Sequence, residues 1–111
     1  MDRETYMQVI REHMKTSYLL KDDKINAILP RFFASLGNHL HTLEEMESEG
    51  DLPGLGVAGH KVKGALLNLG LFELAETAST IEQQGKQLDH DTDYPSLIAH
   101  LKHSITIITG D

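Results

Sequence analysis

Apolar residues recur at intervals of three and four along most of the chain, and this spacing is what most limits its possible folds. Such spacing places apolar side chains on one face of an α-helix, whereas a half-buried strand would alternate apolar and polar residues. The helical pattern covers five segments: residues 3–18, 23–46, 53–69, 71–88 and 93–108. No segment has the alternation of a strand. The sequence therefore predicts an all-α chain.

The connections between these segments indicate how the helices pack. Asn68 and Gly70 end the third segment, and the fourth begins at Leu71 after almost no connection. Helices joined so closely must run antiparallel. We therefore expect an antiparallel up-down-up-down four-helix bundle over residues 22–109, with an additional N-terminal helix, residues 1–20, packed across one end. Residues 1–111 are expected to form a single domain.

Two features of the second helix carry further predictions. Asp22 and Asp23 precede its first apolar residues and are predicted to cap it. Pro30 lies inside the pattern and has no N–H group for a helical hydrogen bond to residue 26. A kink near residues 26–30, or a new helix beginning at Pro30, is therefore expected.

The amino-acid composition limits the kinds of partner that the protein can bind. Seventeen acidic and ten basic residues give a formal net charge of -7, which disfavours nucleic acid and anionic membranes as partners. The chain has no cysteine and no apolar run of membrane-spanning length. These features predict a cytoplasmic protein, most simply a monomer, that binds other proteins.

His60 lies on the polar side of the third helix. At about 100° per residue it is roughly 170° from the centre of that helix's apolar stripe, so it is expected to face solvent. Lys63, Gly64 and Leu67 share this exposed strip. From residue 52 to residue 72 there is no Asp or Glu, so the surface beside His60 is predicted to be neutral to basic and partly apolar.

These residue types suit phosphoryl transfer. A neutral imidazole is nucleophilic near neutral pH and forms a reactive bond to phosphorus. Lys63 could neutralise the phosphoryl oxygens. Gly64 would leave room for a partner's active site at a cost of about 0.5–1 kcal/mol in helix stability. Leu67 and Leu71 are predicted to form an exposed apolar docking area.

The segment His60-Lys61-Val62-Lys63-Gly64, followed by five residues and Gly70, resembles the signature of the histidine-containing phosphotransfer domain family. The resemblance spans roughly residues 23–108. It implies a four-helix bundle whose exposed histidine is phosphorylated at Nε2 and docks a receiver domain, with a sensor histidine kinase as the other partner. It implies no ATP site or cofactor on this chain, and Mg²⁺ only in the receiver. Gly59 stands where the family often has alanine, a departure not expected to affect the chemistry.

Glu82 and Lys86 of the fourth helix are further candidates. Antiparallel packing would bring His60 level with residues 79–83, and both side chains are expected on the flank away from the core. Relatives often carry glutamine near position 82 and a basic residue near position 86. A carboxylate at Glu82 could orient the Nδ1 proton of His60 but would repel a phosphoryl group. An ordinary solvated charge is therefore the favoured interpretation of Glu82.

Four other interpretations compete with phosphotransfer. Residues 54–59 match the letters GxGxxG, but no strand precedes them, so dinucleotide binding is rejected and these glycines are expected to thin the surface or loosen the helix start. No residue set completes a metal site in the bundle. A structural adaptor that binds through the acid-free strip is the alternative from another class, and it should tolerate His60→Gln. A kinase dimerisation domain would need an acid and a proline after the histidine.

Overall fold

The structure is a computed structural model that describes residues 1–110, and its regular secondary structure in that range is entirely helical. The five helices are α1 (Arg3–Ser17), α2 (Asp22–Glu49), α3 (Leu52–Asn68), α4 (Phe72–Lys86) and α5 (Tyr94–Thr109). The predicted all-α fold with five helices is confirmed. Over the same residues, no helix combines the length and the hydrophobicity needed to cross a membrane.

Helices α2 to α5 surround a common apolar core. Helix α3 packs against α2 and α4, α5 packs against the same two helices, and α1 contacts α2 and α5. Fully buried side chains come from all five helices, among them Ile10, Ile25, Leu36, Leu43, Leu55, Val62, Leu66, Ile81, Leu101 and Ile108. This helical bundle agrees with the predicted class. The up-down-up-down order, the position of α1 across one end and the single-domain organisation stay predictions.

The start of α2 differs from the prediction. Lys21 is the N-cap residue and its side chain makes no capping hydrogen bond, whereas Asp22 and Asp23 lie in the first turn, where the Asp23 carboxylate accepts a hydrogen bond from the Lys24 N–H at 2.9 Å. The carboxylate of Asp22 is 3.0 Å from the ammonium of Lys15 in α1. The prediction was therefore wrong about the N-cap position, since Asp22 pairs with a neighbouring helix, but the acidic charges still favour the helix N-terminus.

Helix α2 runs through Pro30 without a break, so the predicted new start at that residue was wrong. Proline removes one hydrogen bond, to the carbonyl of residue 26, from a helix of 28 residues. Pro30 is exposed, which lets water bind the carbonyl oxygen left without a partner. The buried side chains of Ile25, Leu29 and Leu36 on either side hold the helix to the core. A bend at this position stays a prediction.

The turn between α3 and α4 depends on one glycine. Gly70 has a φ angle of +75°, and a Cβ atom there would lie 2.5 Å from Cβ of His13 in α1. Only glycine fits both the left-handed backbone and this close approach. Leu71 follows as the N-cap residue of α4. The predicted short connection is confirmed.

Leu88, predicted as the last member of the apolar stripe of the fourth helix, does not face the core. The helix ends at Lys86, and Leu88 then adopts a left-handed φ angle of 57° with 54 % of its surface exposed. A residue outside the helix no longer follows the helical period, so Leu88 does not reach the core.

Three glycines let α3 and α4 approach closely. A Cβ atom on Gly59 would lie 2.9 Å from the backbone nitrogen of Glu82, and one on Gly85 would lie 2.7 Å from that of Gly56. Gly56 and Gly59 are buried. The expectation that the glycines of residues 54–59 thin the surface or loosen the helix start was wrong for these two, because they form the contact between the helices. This contact brings residue 82 of α4 against the turn of α3 that carries His60.

Candidate functional site

His60 lies in the middle of α3 with its side chain 64 % exposed. The opposite face of the helix is held in the core by Val62 and Leu66, both fully buried. This amphipathic packing fixes the rotation of α3 and directs residue 60 outward. The predicted exposure of His60 is confirmed.

Glu82 approaches the ring of His60 from α4. Its Oε2 atom lies 2.8 Å from Nδ1 of the imidazole, within hydrogen-bond distance. Only 4 % of the Glu82 surface is exposed. The expectation of a solvated charge on the flank of α4 was therefore wrong, because the close approach of the two helices at Gly59 covers residue 82.

Two lysines surround the same carboxylate. Lys63 on α3 places Nζ 2.5 Å from Oε1 of Glu82, and Lys86 on α4 places Nζ 2.8 Å from Oε2. Burial by itself would raise the pKa of Glu82, but the contacts from Lys63, Lys86 and His60 lower it to about 2. Glu82 is therefore ionised at neutral pH. Lys63 and Lys86 both contact the carboxylate that contacts His60, which agrees with the prediction that they lie near the histidine.

The hydrogen bond to Glu82 determines the tautomer of His60. An ionised carboxylate can only accept hydrogen bonds, so Nδ1 must carry the proton. In the neutral ring the lone pair is then on Nε2, which has no hydrogen-bond partner within residues 1–110. The nucleophilic nitrogen, Nε2, is thus the ring nitrogen that makes no hydrogen bond to residues 1–110.

The exposed strip beyond His60 is open, as predicted for two of its members. A Cβ atom built on Gly64 would meet no atom within 4 Å. Leu67 is 40 % exposed. Leu71, however, is only 5 % exposed, so its predicted place in a docking area was wrong. Leu71 is the N-cap residue of α4 and is buried in the core, while the next residue, Phe72, is 57 % exposed.

Val57 is a surface residue that the sequence analysis missed. It lies one turn before His60 in α3, and 58 % of its surface is exposed. A helical wheel places it about 60° from His60, so the signal was available in the sequence. Apolar side chains therefore flank the histidine on both sides, Val57 before it and Leu67 after it.

Within residues 1–110, no group of three His, Asp or Glu side chains is placed to hold a metal ion. The charged cluster at His60 instead consists of one carboxylate, two ammonium groups and the imidazole. These groups can position a nucleophilic nitrogen and neutralise an anion beside it.

Comparison with known proteins gives one match. The sequence model of the Hpt domain matches residues 27–108, which is most of the chain. No curated protein and no solved structure matches it. Members of the matched family are phosphotransfer carriers of two-component phosphorelays rather than enzymes with an ATP site. An all-helical bundle, an exposed histidine and this match agree, and the chain belongs to the Hpt domain family.

Proposed function

We propose that His60 is the phosphoryl carrier of this protein. Its Nε2 atom accepts a phosphoryl group from a histidine kinase or from the aspartyl phosphate of a receiver domain, and later passes the group to an aspartate of a response regulator. The observation that carries the proposal is the 2.8 Å contact between Nδ1 and Glu82, which leaves the lone pair on the exposed edge of the ring.

The transfer itself requires an accessible nucleophile. The lone pair of Nε2 attacks phosphorus, the Nε2–P bond forms, and the bond from phosphorus to the donor's oxygen or nitrogen breaks in line with the attack. Because the His60 side chain is 64 % exposed, a donor can approach along this line. Positioning by Glu82 reduces the rotational freedom that the ring would otherwise lose on reaction.

Lys63 and Lys86 neutralise the transferred group. Together with Glu82 they carry a net charge of +1 beside a neutral imidazole. Their ammonium groups hold the buried carboxylate before transfer and lie close enough to the ring to screen a phosphoryl group afterwards. Because both lysines pair with Glu82, their positive charges offset the repulsion that this carboxylate would otherwise exert on the phosphoryl group.

The partner is a receiver domain that docks over α3. Gly64 leaves open space one turn beyond His60, and the apolar side chains of Val57 and Leu67 border the site. Such a surface suits a partial apolar contact around a reactive centre. In this proposal the chain uses no cofactor of its own, and the divalent cation belongs to the receiver.

Phosphoryl transfer from a labelled receiver domain tests the function. We expect the wild-type protein to take up an acid-labile, alkali-stable label, and His60→Gln to take up none. His41→Gln is the matched control, because His41 is also exposed and contacts a carboxylate, that of Glu45 at 2.9 Å. Equal labelling of wild type and His60→Gln would place the acceptor elsewhere, and absence of labelling with every receiver and kinase tried would favour a structural adaptor.

A further inference from the structure

The contact between His60 and Glu82 also bears on the ring after it has been phosphorylated. A ring that carries phosphorus on Nε2 exists with or without a proton on Nδ1. With the proton, the group that leaves during transfer is a neutral imidazole. Without it, the leaving group is an imidazolide anion, which is a much stronger base and leaves slowly. The proton on Nδ1 therefore decides how readily the phosphoryl group moves on.

We propose that Glu82 keeps the proton on Nδ1 of phosphorylated His60, so that the carrier stays in its transfer-ready form at neutral pH. The inference rests on the proposed function of His60. Nδ1 and Nε2 lie on opposite sides of the imidazole, so a phosphoryl group on the exposed edge leaves the hydrogen bond to Glu82 in place. Glu82 acts through the ring and does not touch the transferred group, which makes it a positioning residue.

Both half-reactions then proceed without a proton transfer. On arrival, the Nε2–P bond forms, the P–O bond of a receiver's aspartyl phosphate breaks, and its electron pair returns to the aspartate. The ring becomes an imidazolium whose Nδ1 proton is hydrogen-bonded to Glu82. On departure, a carboxylate oxygen of the accepting aspartate bonds to phosphorus, and the electron pair of the Nε2–P bond returns to Nε2. The neutral starting tautomer is restored.

The direct contact with Glu82 favours this protonated form. Glu82, on α4, contacts Nδ1 directly, and Lys86 of the same helix and Lys63 of α3 contact Glu82. Positive charge on the two lysines opposes a cationic ring, but both ammonium groups are bound to the carboxylate. The Glu82 carboxylate is hydrogen-bonded to Nδ1 itself at 2.8 Å, whereas the ammonium groups of Lys63 and Lys86 contact the carboxylate, so Glu82 has the stronger influence on Nδ1.

Helix α2, the other helix packed against α3, adds no ion pair to this cluster among the described residues. Three of its acidic residues form ion pairs elsewhere: Asp22 with α1, Glu45 with a histidine of α2 itself and Glu44 with α5. Because burial, which raises the pKa of Glu82, is outweighed by the contacts that lower it to about 2, the carboxylate stays ionised throughout the pH range of the test. Glu82 is thus the acidic partner of Nδ1 at every pH that is measured.

Phosphorus-31 NMR measures the proton on Nδ1 directly, since the resonance of a phosphohistidine shifts when the ring titrates. The phosphorylated wild-type protein is titrated from pH 5.5 to 10, folded in buffer and unfolded in urea. We expect the folded midpoint to lie above the unfolded one, because the hydrogen bond from Nδ1 to the Glu82 carboxylate stabilises the protonated ring. Equal midpoints in the two states would overturn the proposal.

Two variants locate the effect. Glu82→Gln keeps a hydrogen-bond acceptor without the charge, and we expect its folded midpoint to fall towards that of the unfolded chain. Its transfer to a receiver should lose rate at a lower pH than transfer by the wild type. Glu45→Gln changes the other carboxylate paired with a histidine and should leave the midpoint unchanged. A midpoint that Glu82→Gln does not lower would also overturn the proposal.

The same spectra separate this inference from the proposed function. If no phosphorus signal depends on His60, the proposed function itself is wrong. If the signal depends on His60 but its midpoint is the same in the folded and the unfolded chain, His60 is the carrier and Glu82 does not hold the proton. The urea reference needs no variant, so the comparison stands even if Glu82→Gln does not fold.

Discussion

Within residues 1–110, two exposed histidines contact a carboxylate, and their differences distinguish His60. His41 uses Nε2 to contact Glu45, which is half exposed, and the pair lies one turn apart on a single helix. A pair so accessible to water contributes little and orients little. His60 uses Nδ1, and its partner Glu82 is buried between two helices. The burial of Glu82 and the use of Nδ1, more than exposure, distinguish His60 from His41.

The first prediction concerns Lys63. Lys63→Ala removes one of the two lysines that hold Glu82, so we expect slower transfer from a phosphorylated receiver and a loss of roughly 1–2 kcal/mol in the free energy of unfolding. Lys61→Ala is the control, because Lys61 is exposed on the same helix and has no ion pair within residues 1–110. Stopped-flow transfer and urea unfolding measure the two quantities. Equal effects of the two substitutions would show that Lys63 is an ordinary surface lysine.

At the scale of the helix, α3 has glycines with opposite roles. Gly59 faces α4, where an added Cβ atom would meet backbone atoms of Glu82 and Ala78. Gly64 faces open space. The first glycine is required by packing, whereas the second costs helix stability without any contact that requires it. Its open surroundings beside His60 agree with the proposed docking of a receiver over α3.

A second prediction follows from this difference. Gly59→Ala should destabilise the protein by about 1–3 kcal/mol, because backbone atoms of α4 must move. It should also slow transfer, since the contact that would be displaced is at Glu82. Gly64→Ala should stabilise the protein by about 0.5–1 kcal/mol. Thermal and urea unfolding of the two variants check the opposite signs, and destabilisation by both would contradict the open space at Gly64.

A third prediction concerns docking over α3. Gly64→Gln places a long side chain on the surface where the receiver is proposed to approach, so we expect a folded protein with much slower receiver-dependent transfer. Gly37→Gln is a control, because Gly37 of α2 also has no atom within 4 Å of an added Cβ atom. Unchanged transfer by a folded Gly64→Gln protein would show that the receiver does not cover this part of α3.

On the scale of the whole molecule, the charge of the site contrasts with that of the chain. The chain carries a net charge of -7, yet the largest cluster of ion pairs within residues 1–110 places two lysines beside one buried carboxylate. The acidic residues elsewhere lower the potential around the molecule, whereas the site itself is locally positive. An acidic receiver active site would therefore be attracted to the His60 face in preference to the rest of the surface.

The fourth prediction is the dependence of stability on acid. Glu82 has a pKa of about 2 in the folded protein, against 4.5 for an ordinary glutamate. As the pH falls, the unfolded chain binds this proton first. The stabilisation is therefore complete above about pH 4.5 and is lost towards pH 2, and its size is on the order of 3 kcal/mol. Urea unfolding of wild type and Glu82→Gln should give a difference in stability that shrinks across this range. A constant difference would contradict the lowered pKa.

Much of the architecture was predictable because it depends on residues near one another in the chain. Apolar spacing of three and four determines helices, and Gly70 determines the turn between α3 and α4, since the left-handed conformation is a local property. The exposure of His60, Gly64 and Leu67 follows from the same periodicity. Local rules failed where a distant contact intervened, as with Asp22, which pairs with Lys15.

The sequence alone thus determined five helices, the exposed histidine and the family signature around it. Only the tertiary structure decided what His60 contacts. On a helical wheel Glu82 lies between Leu71 and Ala75 of the apolar stripe, so only its charge favoured an exposed position. The burial of Glu82 depends on the short distance between α3 and α4. Gly56, Gly59 and Gly85 together permit this distance, and no one of them predicts it from the sequence. The distance between backbones of different helices is a property of the packed molecule, and it is this distance that places a carboxylate on Nδ1.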